Sequence, residues 1–255
     1  MHIQTHGHGP DIALLHGWAM HGGIFNALTE DLARFCRVHV VDLPGHGFSR
    51  DDAAGLDPHD CAERLTRLLP PSIWVGWSLG GLIAMRAAIA YPQALRGLGL
   101  ISASPRFVVA DDWKQGVALN VFEQFATDLA NDYRGALERF LALEVHGDEH
   151  AMVCLRELRA RLFERGEPTS AALGQGLHIL ERSDLRAHLS RITCPNIWIA
   201  GSRDRLVPAA AMEWSATAAR GRFHRVARAG HAPFITHRDE VLGCIRALVQ
   251  EVDSA

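Results

Sequence analysis

The chain has 255 residues and a formal net charge of −3, and about half of its residues are hydrophobic. This composition gives no basic surface for nucleic acid or an anionic membrane, and no apolar run approaches the length of a membrane span. The N-terminal sequence lacks a hydrophobic stretch after a basic start, so we expect no secretory signal. Five scattered cysteines lack zinc-ligand spacing, which predicts reduced thiols, a cytoplasmic location and no metal site.

The first part of the chain alternates short apolar runs with helical patterns, starting with a solvated strand that contains His2, His6 and His8. Asp57 and Pro58 have the positions of an N-cap and a first helical residue. Continuous apolar strands alternating with helices predict a doubly wound, mostly parallel sheet of the α/β class. The predicted strands of this part are 12–15, 37–42, 72–76 and 98–102, with a helix at 79–90.

The strand–helix alternation stops in the middle of the chain and then resumes. Residues 106–187 show only helical periodicity. We therefore predict an α/β core formed by residues 1–105 and 188–255, with the segment between them inserted as a helical lid. The alternative is a longer doubly wound fold whose strands in this segment have no visible pattern. The resumed elements are predicted strands at 196–200 and 222–226 and a last helix at about 239–251.

Residues 76–81 read GWSLGG and lie between a predicted strand and a predicted helix. Ser78 could cap the helix in an ordinary tight turn. In a G-x-S-x-G turn, the serine can instead adopt strained backbone geometry with its oxygen exposed, where larger neighbours would clash with the adjacent strand and helix. The five residues alone leave both interpretations open. The choice between them depends on whether the rest of the chain supplies the other catalytic groups.

A serine nucleophile needs a histidine base and a carboxylate that orients the imidazole ring. Asp204 lies in the loop after one late predicted strand, and His231 lies in the loop after the next. Because the carboxyl ends of parallel strands meet at one edge of a sheet, we expect both side chains near Ser78. Three other acidic and histidine residues are not assigned to the triad. Asp42 is expected to hold its own loop, Asp184 to lie near a helix N-cap, and His237 to begin the last helix.

The oxyanion formed during acyl transfer needs backbone N–H donors. We expect one from Leu79, at the helix N-terminus after the serine. The second is expected from Trp18, in the HGW loop after the first buried strand. His16 in the same loop is predicted to brace the loop rather than to transfer protons.

Five motifs carry a resemblance to a known family: HGW, VDLPGHGFS, GWSLGG, GSRDRLVP and GHAPF, in this order. Over its whole length the sequence resembles the α/β-hydrolase superfamily. Longer matches, such as RFLALEVHG and GHAPFITH, resemble its methyl ester esterases of biotin synthesis, which act on pimeloyl-acyl-carrier protein. The resemblance implies an α/β-hydrolase fold and a serine esterase without a cofactor, with Ser78, Asp204 and His231 as the triad. It also implies that Trp18 and Leu79 lie at the oxyanion and substrate site.

The resemblance further implies that one segment of the insertion lines the acyl channel. Glu144, in that segment, stands where a neutral glutamine is expected in the family. Phe122 and Phe125 could also line the channel, although the core of the insertion is the simpler interpretation of each. The implied channel residues are Phe140, Leu141, Ala142, Leu143 and Glu144.

An acyl-carrier protein is acidic and would dock against arginines, of which Arg139, Arg156 and Arg159 are the candidates. Glu138 and Glu157 leave this region nearly neutral, so ordinary surface ion pairs are the alternative. We expect a monomer that binds neither nucleic acid nor membrane. A general carboxylesterase of short-chain acyl esters would use the same catalytic residues, and a non-catalytic binding protein would be expected to lack one of them.

Overall fold

The computed structural model describes residues 1–254 and contains one seven-stranded sheet. The strands are β1 (His2–Gly7), β2 (Asp11–Leu15), β3 (Arg37–Asp42), β4 (Ser72–Trp77), β5 (Leu95–Ile101), β6 (Asn196–Gly201) and β7 (Arg222–Val226). Their order in the sheet is β1-β3-β2-β4-β5-β6-β7. Strand β1 runs antiparallel to β3, and the other neighbours run parallel. The mostly parallel α/β sheet predicted from the sequence is confirmed.

Helices cover the sheet and fill the segment between β5 and β6. Within residues 1–254, every helix is too short or too polar to span a lipid bilayer. The helices are α1 (Asn26–Leu32), α2 (Pro58–Leu68), α3 (Leu79–Ala90), α4 (Leu119–Asn131), α5 (Tyr133–Glu144), α6 (Ala151–Leu162), α7 (Ser170–Arg182), α8 (Ala209–Ala218), α9 (Pro233–Thr236) and α10 (Arg238–Asp253).

The centre of the sheet is apolar on both faces, as parallel strands between two helical layers require. All six residues of β4 and all six of β6 are buried. Helix α3 packs directly on β4 and is buried along most of its length. Helix α2 begins as predicted, because the Asp57 carboxylate accepts hydrogen bonds from the N–H groups of His59 and Asp60.

The two edge strands are polar. In β1, His2 and His6 are exposed, and in β7, Arg222 and Arg225 are exposed. Charged and solvated side chains at a sheet edge discourage pairing with a strand of another molecule. The sheet edges therefore favour a chain that does not assemble through its sheet.

Residues 106–187, called the helical insert below, connect β5 to β6 through α4, α5, α6 and α7. The described chain there forms only two isolated bridges and no strand, so the alternative of a longer doubly wound sheet is wrong. The insert is tied to the core by Arg165, whose guanidinium donates to both oxygens of the buried Asp42 carboxylate at 3.2 Å. His21 Nε2 also donates to Arg161 O at 2.7 Å.

Candidate active site

Ser78 occupies the turn between β4 and α3 in a left-handed backbone conformation. Its φ is 53° and its ψ is −116°, a geometry that costs a non-glycine residue about 1–3 kcal/mol. Its side chain makes no capping hydrogen bond to the helix. The strained turn without a cap favours the nucleophile over the N-cap.

The glycines of the motif make room for this turn. A Cβ on Gly76 would lie 2.5 Å from Gly80 O, and a Cβ on Gly80 would overlap Leu15 O and lie 2.6 Å from His16 O. Contacts this short are excluded for real side chains. The end of β2 can therefore pass next to the start of α3 only because Gly80 has no side chain.

Asp204 and His231 meet at the same edge of the sheet, in the loops after β6 and β7. His231 Nδ1 donates to Asp204 Oδ2 at 2.8 Å, and both side chains are fully buried. The other carboxylate oxygen of Asp204 accepts from the N–H groups of Leu206 and Val207 at 2.8 and 2.9 Å. These two backbone N–H groups hold the carboxylate in place, so that it orients the imidazole as a triad acid must.

The His231 loop is held from two sides. Trp77 Nε1, next to Ser78, donates to His231 O at 2.9 Å, and His231 N–H donates to Glu144 O at 3.1 Å. Burial by itself would lower the pKa of His231, but Asp204, together with Glu144 when that side chain is ionised, outweighs burial and holds the pKa above its ordinary value. The charged imidazolium, which a base forms during catalysis, is therefore stabilised here.

The hydrogen bond between Ser78 Oγ and His231 Nε2 is not formed in this structure. His231 Nε2 is buried and has no partner within residues 1–254. A serine hydroxyl rotates freely about one bond, and catalytic hydrogen bonds commonly tighten only when substrate is bound. The structure therefore places the Asp204–His231 pair against Trp77, the neighbour of Ser78, and leaves the imidazole nitrogen that would take the proton without a partner.

The HGW loop lies beside the serine. A Cβ on Gly17 would be 3.3 Å from Ser78 Cβ. Within the described chain, neither Trp18 N–H nor Leu79 N–H donates a hydrogen bond. Two free backbone donors next to a strained serine are what an oxyanion site requires.

A buried histidine braces this loop. His16 Nδ1 donates to Gly17 O at 2.8 Å, and its Nε2 accepts from Leu43 N–H at 3.0 Å. Burial lowers the pKa of His16 to about 3, with a further contribution from His46. A neutral ring whose two nitrogens are both occupied cannot act as the base, which agrees with the structural role predicted for His16.

Helix α7 of the insert lies on the predicted oxyanion residues, and its two central glycines differ. A Cβ on Gly176 would overlap Trp18 Cδ1 and lie 3.5 Å from Leu79 Cδ2, whereas a Cβ on Gly174 would meet nothing within 4 Å. We expect Gly176→Ala to lower the free energy of unfolding by about 1–3 kcal/mol and to reduce any turnover at Ser78, because Trp18 must move. The matched Gly174→Ala should raise stability by about 0.5–1 kcal/mol. Urea unfolding with a parallel activity assay checks both, and equal effects would contradict the packing argument.

Aromatic side chains of the insert pack edge to face against Trp18 and against each other. The rings of Trp18 and Phe140 have centroids 4.5 Å apart, and those of Phe125 and Phe140 are 5.4 Å apart. Phe122 is buried in the same hydrophobic core. Ser78 is only 3% exposed beneath this cover. An ester can therefore reach the serine only if neighbouring groups move.

The segment 140–144 does not face one way, because it is helical. Phe140, Leu141 and Glu144 are buried, Leu143 is half-buried and Ala142 is exposed. Three of the five predicted channel residues therefore point into the protein, and Ala142 points to solvent.

The candidate docking arginines differ in what surrounds them. Arg139 pairs with Asp128 and Arg159 pairs with Glu138, at 3.1 and 2.6 Å. Arg156 is exposed on α6 and has no ion-pair partner within residues 1–254. Of the three, Arg156 is the one whose charge is free.

One cluster has metal-ligand chemistry, outside the candidate active site. Glu149, His150 and His237 bring one donor atom each within 4.8 Å of one another. The Glu149 carboxylate is already occupied, since it accepts from His237 Nε2 and pairs with Arg228, both at 3.0 Å. These contacts are those of an ordinary surface network of polar and charged side chains.

Asp148 was not among the residues predicted from the sequence. Its carboxylate accepts from Gly230 N–H at 2.6 Å and from Thr236 Oγ1 at 3.2 Å, so it joins the insert to the loop that carries His231. Asp148 directly follows Gly147, the last residue of the RFLALEVHG motif, and a polar residue so close to a predicted functional segment was the available signal.

Solved structures with the same fold extend over nearly the whole chain. An esterase from Exiguobacterium antarcticum superposes with a TM-score of 0.86 at 24% identity, covering 98% of this chain and 94% of that one. A bromoperoxidase from Bacillus anthracis superposes with a TM-score of 0.89 at 20% identity, covering 97% and 94%. At these identities the likeness concerns the fold.

Curated relatives are much more similar in sequence. A protein of Xanthomonas oryzae pv. oryzae named pimeloyl-[acyl-carrier protein] methyl ester esterase is 52% identical, covering 99% of this chain and 100% of its own. A protein of the same name from Stenotrophomonas maltophilia is 49% identical, covering 100% and 98%. These matches confirm the resemblance predicted from the motifs. Since the model of the Alpha/beta hydrolase family also matches residues 12–243, this chain belongs to the alpha/beta hydrolase family.

Proposed function

We propose that the protein is a serine esterase that hydrolyses the methyl ester of pimeloyl-acyl-carrier protein to the free acid and methanol. The observation that carries the chemistry is the strained Ser78 turn beside the buried His231–Asp204 pair. The substrate is supported by the name of relatives about half identical over their full length. Such a reaction belongs to biotin synthesis.

The geometry supports an acyl-enzyme mechanism. His231 Nε2 takes the proton of Ser78 Oγ as the oxygen attacks the ester carbonyl. The free N–H groups of Trp18 and Leu79 stabilise the oxyanion, and Asp204 stabilises the imidazolium. His231 then protonates the departing methoxide, and the same base activates water to release the acid.

The helical insert acts in this proposal as a lid that selects the substrate. Phe140 and Leu141 lie within the apolar cover over Ser78. A methyl ester masks the charge of the acid, so the chain end can enter between apolar side chains without the cost of burying a carboxylate. The substrate thus matches the cover that the insert provides.

The carrier protein is proposed to dock on α6. Met152 and Val153 are exposed there, and Arg156 follows Met152 by one helical turn. An apolar patch beside an unpaired cation suits an acidic protein partner.

Charge reversal at α6 tests the docking proposal. We expect Arg156→Glu to raise KM for the carrier-linked ester about tenfold, because an attraction becomes a repulsion. The kcat/KM for a short aryl ester should not change. Arg96→Glu, at the N-terminal end of β5, is the control and should leave both unchanged. Equal losses on the two substrates in Arg156→Glu would rule out docking at this surface.

The function is tested with pimeloyl-carrier-protein methyl ester and a short aryl ester, each measured beside Ser78→Ala as the blank. A strong preference for the carrier-linked ester is expected. Cleavage of the aryl ester alone would remove the biotin assignment and leave a general carboxylesterase of short-chain acyl esters. Labelling of Ser78 by a fluorophosphonate separates both from a non-catalytic binding protein, in which the serine would stay unlabelled.

The enzyme is further proposed to act as a cytoplasmic monomer. Its five cysteines are free thiols, which suits a reducing compartment. Light scattering after size-exclusion chromatography checks the oligomeric state.

A further inference from the structure

Glu144 is a buried acid that the mechanism above does not use. It is the last residue of α5, it is 2% exposed, and its Oε2 has no hydrogen-bond partner within residues 1–254. Phe140, one turn earlier on the same helix face, touches Trp18. The backbone carbonyl of Glu144 accepts from His231 N–H. The side chain is thus held where the insert meets both the base and the oxyanion loop.

The surroundings of Glu144 favour the protonated form of its side chain. His231 and Asp204 act on it from the loops after β7 and β6, and the Cys154 thiol faces both Glu144 and Asp148 from α6. His231 is the one group among them that can become positive. Burial raises the pKa of Glu144 to about 8, with His231 opposing and Asp204 adding to the shift. At neutral pH the side chain is an uncharged carboxylic acid.

We propose that Glu144 distinguishes the neutral ester from the carboxylate product: its protonated form hydrogen-bonds the product carboxylate, and its ionised form expels it. This inference rests on ester hydrolysis at Ser78, whichever ester is the substrate. Hydrolysis converts a neutral group next to His231 into an anion. Two carboxylates in one buried site share a single proton, because both cannot ionise side by side. Binding of the product anion therefore requires the proton on Glu144, whereas binding of the ester does not.

The test uses hexanoate as the product-like probe and its uncharged analogue hexanamide, as inhibitors of aryl ester hydrolysis between pH 7 and 9.5. For the unmodified protein, we expect the hexanoate inhibition constant to rise about tenfold per pH unit above the pKa of Glu144, since the protonated fraction falls by that factor. The hexanamide constant should stay level. In Glu144→Gln, which is neutral at every pH, only the titration of His231 remains, so the hexanoate constant should rise much less than in the unmodified protein and the hexanamide constant should stay level. Glu123→Gln, exposed on α4, should behave as the unmodified protein.

A stability measurement provides a readout that needs no substrate. The folded-state pKa of Glu144 lies above the ordinary value of 4.5, so the folded protein keeps a proton that the unfolded chain loses. Stability conferred by that proton is complete below pH 4.5 and is lost as pH rises towards 8. As the pH rises from 4.5 to 8, the Tm of Glu144→Gln minus that of the unmodified protein should therefore increase. Above pH 8 this difference should stay constant.

Three results would overturn the inference. They are a level hexanoate constant in the unmodified protein, the same rise in Glu144→Gln, and a Tm difference that does not change with pH. The first of these needs no variant, so the test stands even if Glu144→Gln folds poorly. Because the assay uses an aryl ester, loss of the carrier-linked substrate would contradict only the proposed function.

Discussion

Ser78→Ala is expected to lower kcat by about 10⁴-fold or more while the protein stays folded. The serine oxygen is the only atom removed, and it makes no capping bond to α3 that the fold would miss. Alanine also keeps the strained φ of 53°, so the turn itself is not relaxed. Initial rates on a short aryl ester and the Tm from circular dichroism measure the two effects separately.

The control for this variant is Ser72→Ala, at the opposite end of β4. Ser72 is buried and its Oγ accepts from Trp74 Nε1 at 3.1 Å. Losing that acceptor should cost about 1–3 kcal/mol of stability and should not change kcat. If Ser78→Ala kept even a hundredth of the turnover, the nucleophile would have to lie elsewhere.

Gly80→Ala is expected to cost about 3 kcal/mol of stability and to reduce turnover in the protein that still folds. The new Cβ would overlap a backbone oxygen of β2 and come within 2.6 Å of His16 O, and backbone atoms cannot rotate away as a side chain can. The end of β2 would have to separate from α3. That movement would displace Trp18 and Leu79, the two oxyanion donors, relative to each other.

Helix α10 offers the comparison for Gly80→Ala. A Cβ on Gly243 would meet nothing within 4 Å, so Gly243→Ala should stabilise the protein by about 0.5–1 kcal/mol through the helix propensity of alanine. Guanidinium unfolding of the two variants gives the difference. Similar changes in the free energy of unfolding for the two variants would show that the turn tolerates a side chain at position 80. Glycine would then not be required there for steric reasons.

The placement of Ser78, Asp204 and His231 could be predicted because it follows from local rules. Each residue lies in the loop that follows a predicted strand, and parallel strands bring their carboxyl ends to one edge. The helices α1 and α8 were not identified. Helix α8 is rich in alanine, which marks neither a buried nor an exposed face, so it gives no periodicity to detect.

The site details that the sequence did not yield depend on contacts between distant parts of the chain. The rotation of α5 leaves Ala142 exposed and Glu144 buried, and it is set by packing against Trp18 rather than by the helix itself. Likewise, the pairing of Arg165 with Asp42 joins residues 123 positions apart. Local patterns predict which residues are helical, but the face that a helix turns inward is decided by its neighbours.

The hydrogen bond from Trp18 Nε1 to Leu173 O, at 2.9 Å, bears on any attempt to engineer this enzyme. The side chain of Trp18, whose N–H is proposed to stabilise the oxyanion, is supported by α7. The insert proposed to select the substrate and the loop proposed to bind the oxyanion are therefore joined by this bond. Grafting the insert of a relative would keep that support only if its backbone places a carbonyl at the position of Leu173 O. Libraries confined to the insert should consequently trade chain-length preference against turnover, and compensating substitutions should accumulate around Trp18 rather than around the triad.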